Sequence, residues 1–372
     1  MTPAWPAIGD IIGVRDPIDV LVHTKEPLNA EPALADLAES FITPVDRFFK
    51  RNHAPAPVVD PDALRLEVAG MVERPLSLSL VDLARFERAE LVATLQCAGN
   101  RRQGLIDHAP TPGEVPWRDA AIGNAVWGGW RLADVLADAG ADPAAKHVAF
   151  LGLDRPEKAG AGVGYGSSIP LGKALAPEVL LADTMNGEPL RPEHGFPLRA
   201  IVPGFIGARS VKWLHRIALQ MEESENYFQQ RAYRHFPPEE DGSTADWDAV
   251  CSIEDFPVSS VITLPSSGTD VAAGAVRVAG YAITGGGRRL TAVEVSTDHG
   301  RTWVPARMAA EGTEWTWRLW DVNVILAPGQ HVLAVRAEDE AGGQPRDVAS
   351  VWNYKGYLNN AWHQVRVHAV AP

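Results

Sequence analysis

Cysteine is almost missing from this chain, which has only Cys97 and Cys251 in 372 residues. At most one disulfide could form, so no disulfide framework holds the fold, and this usage suits a reducing compartment. Two cysteines provide no cluster for iron–sulfur ligation, and no Cys-x-x-Cys-His is present for covalent haem. Long apolar runs are also absent: nothing approaches the ~18 residues of a membrane-spanning helix. The N-terminus, MTPAWPAIGDIIGVRDP, has neither a basic start before an apolar stretch nor paired arginines. A cytoplasmic protein is therefore expected. Positive charge is in deficit, with 34 Lys+Arg against 47 Asp+Glu and a net charge of -13. That balance argues against nucleic acid or a membrane surface as partner, since both need basic patches. An anionic substrate would require cations concentrated locally.

The chain is long enough for two domains. Its 33 glycines and 29 prolines predict short strands and many turns rather than a helix bundle. Residues 1–40, rich in Pro, Ala and acidic side chains, are expected to form an extended arm. Residues 41–225 alternate short apolar runs with Gly/Pro punctuation and are expected to form an α+β domain. Within it, helices are expected over 132–139 and 171–181, and strands over 64–68, 91–95, 147–151 and 198–202. Residues 226–250 are polar, aromatic and acidic without amphipathic period, and are expected to connect the domains while packing on both. From 251 to 372 the pattern is all β. Val276/Val278, Val293/Val295 and Leu333/Val335 alternate with polar neighbours, and Asp298-His299-Gly300 marks a hairpin before Trp303. This spacing predicts an immunoglobulin-like sandwich.

Chemistry concentrates in Leu95-Gln96-Cys97-Ala98-Gly99-Asn100-Arg101-Arg102. A lone cysteine is usually a small buried hydrophobe. Here it ends an apolar run and is followed by a turn and two guanidinium groups. Neighbouring cations and turn amides favour the thiolate, the nucleophilic and metal-binding form. Spacing alone leaves nucleophile and soft-metal ligand both open, and no second ligand stands at zinc-like spacing. Three further cationic groups lie on Gly/Pro-bounded loops: Lys50-Arg51-Asn52-His53, His194 to Arg199, and Arg209 to Lys212. Such groups suit a large phosphorylated cofactor, because Arg and Lys neutralise phosphate while His and Asn bond ring heteroatoms.

LQCAGNRR, FFKRNHAPAP, HGFPLRAIVPGFIGARSVKW and GGGRRL together resemble the sulfite oxidase family, and the similarity runs in order from about Lys25 to the C-terminal AWHQVRV. The resemblance implies an α+β molybdopterin-binding domain (the sulfite oxidase fold) followed by an immunoglobulin-like dimerisation domain. It implies a molybdenum–molybdopterin cofactor with Cys97 as the one protein ligand to the metal. It places the pterin and its phosphate among Phe49, Lys50, Arg51, Asn52, His53, Asp154, His194, Arg199, Ser210, Val211 and Lys212. It assigns the substrate oxyanion to Arg51, Arg102, Trp117 and, from the second domain, Arg288. The implied reaction is oxidation of sulfite to sulfate by oxygen-atom transfer. Electrons would pass to an external acceptor, dioxygen or a cytochrome, from a homodimer. The family's active-site tyrosine is expected in LLAYEMNG, where this chain reads LLADTMNG with Asp183. That departure raises the alternative of another sulfur oxyanion or sulfane sulfur as substrate.

Overall fold

The computed structural model describes residues 20–111, 113–247 and 249–371. Two sheets, the first antiparallel and the second mixed, form the first half of the fold. One runs Glu188–Pro189, Leu180–Met185, Ile122–Arg131, Arg88–Gln96, with Arg199–Ile201 also paired to Leu180–Met185. The other runs Leu76–Leu78, Leu66–Gly70, Leu214–Gln220, His147–Gly152, Gly166–Pro170, with its one parallel pairing between Leu66–Gly70 and Leu214–Gln220. The longest helix, Leu132–Ala139, buries Leu132, Val135, Leu136 and Ala139. That i, i+3, i+4, i+7 stripe explains why the segment is helical. It stops at Gly140, whose φ of 68° is the left-handed value glycine adopts without strain.

The second half is a sandwich. A sheet ordered Ser259–Leu264, Gly274–Ile283, Arg318–Leu326, Arg307–Met308 faces another ordered Thr269–Ala272, His363–Val370, Gly329–Asp339, Leu290–Ser296, Val304–Pro305. Alternate residues point inward from both, so Ile262, Val278 and Val324 meet Val293, Val295, Leu333, Val335, Val365 and Val367 in one apolar layer. The expected hairpin at 298–300 joins Leu290–Ser296 to Val304–Pro305, with His299 at φ 63° and the Asp298 carboxylate accepting from the amides of Arg301 and Thr302. The two halves share a core: Val261, Tyr281, Ile283, Trp317 and Tyr357 pack into the apolar cluster of the first.

Two expectations are corrected. The helix expected over 171–181 is one turn, Leu171–Ala174, and Leu180–Met185 is a strand at the centre of its sheet. Pro177 lies between them, lacks an amide hydrogen and cannot continue a helix. The arm expected over 1–40 is folded where it is described. Val20–Thr24 and Asn29–Pro32 form an antiparallel hairpin whose second strand is wholly buried, followed by a turn of helix at Leu34–Leu37. Residues 1–19 lie outside the described residues.

Candidate active site

The Arg88–Gln96 strand delivers Cys97 to a cleft with about 710 Å³ of atom-free space, part of it open to solvent. The chain then turns sharply. The Cys97 amide donates to Ala121 O (2.9 Å), and the Asn100 amide donates back to Cys97 O (2.9 Å). The Gly99 amide lies 3.4 Å from Sγ, which it can serve as donor. Arg101 takes a left-handed backbone (φ 67°), and helix Arg102–His108 follows. A non-glycine residue in that region is strained, and such strain concentrates at functional loops. The two arginines part company here. Arg101 turns from the cleft to donate to Ser259 Oγ (3.2 Å) and Asn359 O (3.4 Å), joining the two halves of the fold. Arg102 stays near the thiol and spans the boundary, donating from Nε to Gly356 O (2.8 Å) and from Nη1 to Val115 O (2.7 Å). The expected thiolate is not favoured by the protein alone: burial pushes the Cys97 thiol up, opposed only in part by Arg102 and Arg51. A bound cation would reverse that balance, since a coordinating thiol is deprotonated outright.

Arg51 lines the same cleft, and the N-terminal hairpin holds it there. Asn29 Oδ1 accepts from Arg51 Nη1 (3.2 Å) and from the Asn52 amide (3.0 Å), while Asn52 Nδ2 donates to Leu28 O (2.8 Å). Arg51 Nη2 lies 2.8 Å from His53 Nε2, and the Tyr233 hydroxyl lies 3.0 Å from the same nitrogen. Burial first, then Arg51, Lys212 and Lys158, hold His53 well below its ordinary pKa, so the neutral ring accepts from both. Burial pushes the Tyr233 phenol up to about 12, and its ring stacks on Tyr357 with centroids 5.3 Å apart.

A deeper wall is cationic. Arg199 donates to His194 O (2.8 Å) and Ser210 O (3.1 Å); Lys212 donates to Glu193 O (2.8 Å), Arg51 O (3.1 Å) and Asn52 Oδ1. All these acceptors are neutral, and burial lowers both cations' pKa values. Ser210 Oγ accepts from the Val202 amide (3.0 Å), and Asp154 Oδ1 accepts from the Tyr165 amide (3.1 Å). His194 is neutral, its pKa lowered by burial and then by Lys50, Lys212, Arg199 and Arg191. Its Nε2, like Trp117 Nε1, is buried without a hydrogen-bond partner among the described residues. Each such group costs about 1–3 kcal/mol unless a ligand meets it. Buried cations whose hydrogen bonds all go to neutral acceptors, beside unpartnered ring nitrogens, fit a large anionic cofactor rich in polar edges. Among the described residues, no three His, Cys, Asp or Glu side chains could together hold a metal ion. A metal at Cys97 would therefore take its other ligands from outside the chain.

Residues 53–228 match the oxidoreductase molybdopterin-binding domain, and residues 250–370 match the Mo-co oxidoreductase dimerisation domain. The chain is 46% identical over 367 residues to human mitochondrial sulfite oxidase, covering 95% of this chain and 66% of that protein. It is 41% identical over 365 residues to the sulfite oxidase of Arabidopsis thaliana, covering 92% of each. The chain belongs to the sulfite oxidase family. It therefore spans somewhat under two thirds of the human relative's length. The sulfane dehydrogenase SoxCD of Paracoccus pantotrophus has a similar structure, with a TM-score of 0.79 at 27% identity, covering 98% of this chain and 90% of that one.

The cofactor of the family is molybdopterin, and the cleft is built for it. Phe49, Arg51, Asn52, His53, Asp154, His194, Arg199, Ser210, Val211 and Lys212 all line the space above Cys97. Lys50 stands behind His194, close enough for its charge to act on that ring, with Nζ on Asp46 O (2.7 Å). Trp117 is fully buried in the apolar cluster that contains Cys97.

Two residues that the resemblance placed in the family's substrate pocket are elsewhere. Asp183 lies in the Leu180–Met185 strand and receives two hydrogen bonds from Arg88 (2.7 and 3.1 Å). Arg88 opens the strand that ends beside Cys97, so this pair is ~25 Å from the thiol at about 3.3 Å per residue. The tyrosine beside Cys97 is Tyr233. Sequence reading missed it because residues 226–250 resembled a connector. The signal was a tyrosine in QQRAYRHF, a segment already marked as packing on both sides. Arg288 is held by Asp255 (2.6 Å), Asp339 (3.0 Å) and Phe256 O (2.8 Å), away from the cleft. The second half reaches Arg102 through Gly356, whose carbonyl Arg102 holds and whose neighbour is Lys355. Its Nζ lies 2.9 Å from Glu114. Gly356 has φ 64°, and an added Cβ would lie 2.8 Å from Arg102 Cγ, so this approach requires glycine.

Proposed function

We propose that this protein oxidises sulfite to sulfate, with Cys97 as the single protein ligand to molybdenum and two electrons leaving to an external acceptor. The observation that carries this reading is the set of cations about one buried thiol in a chain of net charge -13. Arg51 and Arg102 both act on Cys97, and Lys355 stands next to the turn that Arg102 grips. Converging guanidinium and ammonium groups raise the local potential and suit a small dianion. Sulfite and water yield sulfate, two protons and two electrons. Bound molybdopterin supplies the redox centre and the oxygen that is transferred. The chain's residues do the rest. Arg51 and Arg102 bind and orient the anion, and Tyr233, protonated at neutral pH, can turn its one hydroxyl proton from His53 to a bound anion. Arg199, Lys212 and His194 hold the cofactor's phosphate and ring edges. The reason for considering another sulfur substrate was a carboxylate beside the anion, and Asp183 lies too far away to supply it. The dimerisation domain supports a homodimer, and either dioxygen or a cytochrome would serve as acceptor.

The test is sulfite turnover with ferricyanide, using protein made in a molybdopterin-producing host. We expect about one Mo per chain and sulfite-dependent reduction. Fully loaded protein that ignores sulfite would overturn the substrate assignment.

A further inference from the structure

A buried ion pair lies against Arg102 at the junction of the two halves. Glu114 follows the turn at Gly113 and crosses to the second half of the fold, where Oε1 meets Lys355 Nζ at 2.9 Å. Both side chains are largely buried, at 13% and 16% exposure. Arg102 fixes both ends of this pair, holding the carbonyls of Val115 and Gly356, each one residue along from a partner. The carboxylate's charge reaches the cleft. It favours the Arg51 cation and disfavours the anions of Cys97, Tyr233 and Tyr357. A carboxylate within electrostatic reach of Cys97 and Arg51 is thus paired with the lysine that neighbours the Gly356 turn held by Arg102.

We propose that Glu114 sets the strength with which the pocket holds oxyanions, pairing with Lys355 and competing with the anion for it. This rests on the reading of the cleft as an oxyanion site. Like charges brought together in a desolvated site cost several kcal/mol, so the carboxylate lowers affinity for every oxyanion, product included. It thereby favours release of sulfate. It also keeps Lys355 from standing as an uncompensated buried charge between turnovers, the costly state for a broken pair.

The experiment uses the Mo-loaded enzyme. Sulfite KM and kcat are measured together with sulfate inhibition, and sulfate binding to the oxidised enzyme is measured by calorimetry without turnover. In Glu114→Gln, sulfite KM and the sulfate dissociation constant should both fall about tenfold, with kcat changing less or falling as product lingers. Glu114→Asp, which draws the carboxylate back from Lys355, should move both constants in the same direction by less, and decides the matter if the Gln variant does not load. Lys355→Met should weaken both. Unchanged or weaker sulfate binding in folded, loaded Glu114 variants would overturn the inference. A parent enzyme idle with sulfite would instead defeat the sulfite reading.

Discussion

Cys97 and Tyr233 illustrate what single residues reveal and conceal. Cys97 was legible because its chemistry is local: a lone thiol after an apolar run, with arginines in the next turn. Tyr233 was not, because its role depends on a contact between residues 180 apart, the His53–Tyr233 bond. Asp183 and Tyr233 therefore make a paired prediction. Tyr233→Phe should keep its stability yet lower sulfite kcat/KM roughly ten- to a hundred-fold, the worth of a hydrogen bond to a charged group. Asp183→Ala should leave kcat/KM unchanged and cost at most about 1 kcal/mol of stability, since the half-exposed Arg88 guanidinium keeps water and Thr184 as partners. Urea melts and steady-state kinetics separate the two, and the reverse pattern would restore Asp183 to the pocket. Cys97→Ser should abolish turnover, because a hard alkoxide replaces a soft thiolate, and metal analysis would report whether molybdenum is also lost.

The residue scale also fixes a pH dependence. His53 and His194 are held below their ordinary pKa, so they stay neutral in the fold while the unfolded chain protonates near pH 6.5. The unfolded state then binds more protons as pH falls through that value. Cofactor-free protein should lose up to ~1.4 kcal/mol per pH unit for each histidine below about 6.5. Urea midpoints at pH 7.5 and 5.5 check this, and His194→Gln should flatten the slope.

At the scale of elements, short β patterns were readable and exceptions came from tertiary context. The period-2 alternation around Val276, Val293 and Leu333 identified sandwich strands because one face is buried and the other wet. Residues 171–181 misled because a leucine-rich stretch suits helix or buried strand equally, and pairing with Ile122–Arg131 chose the strand. The N-terminal hairpin was hidden for a different reason. Its polar residues are buried not by apolar pattern but by what they bond: Asn29 holds Arg51 and Asn52, and Glu31 accepts from the amides of Arg118 (2.8 Å) and Ala120 (2.9 Å). Asn29→Ala should raise sulfite KM by freeing Arg51 and cost about 1–3 kcal/mol. An unchanged KM with reduced stability would make the hairpin a brace only.

For the whole molecule, the division into two halves was visible as a change of periodicity, whereas their fusion was not. Tyr281 of the sandwich bonds Asn100 Nδ2 (3.2 Å) and Asp119 O (2.8 Å), and Arg101 reaches back to Ser259 and Asn359. The Cys97 loop is thus held from both sides. Calorimetry should show one unfolding transition, and Arg101→Met should split it in two or lower it. We expect a homodimer by light scattering at micromolar concentration.

The wall of Arg199 and Lys212 has a practical consequence for anyone who purifies the empty protein. Two buried cations hydrogen-bonded only to neutral acceptors make the apoprotein an anion trap, so its buffer becomes a ligand. Phosphate at a hundred times its dissociation constant would add ~2.7 kcal/mol of apparent stability. A melt run in phosphate would then overstate the fold's own strength, and the same melt in an amine buffer with chloride would reveal how much of it was borrowed.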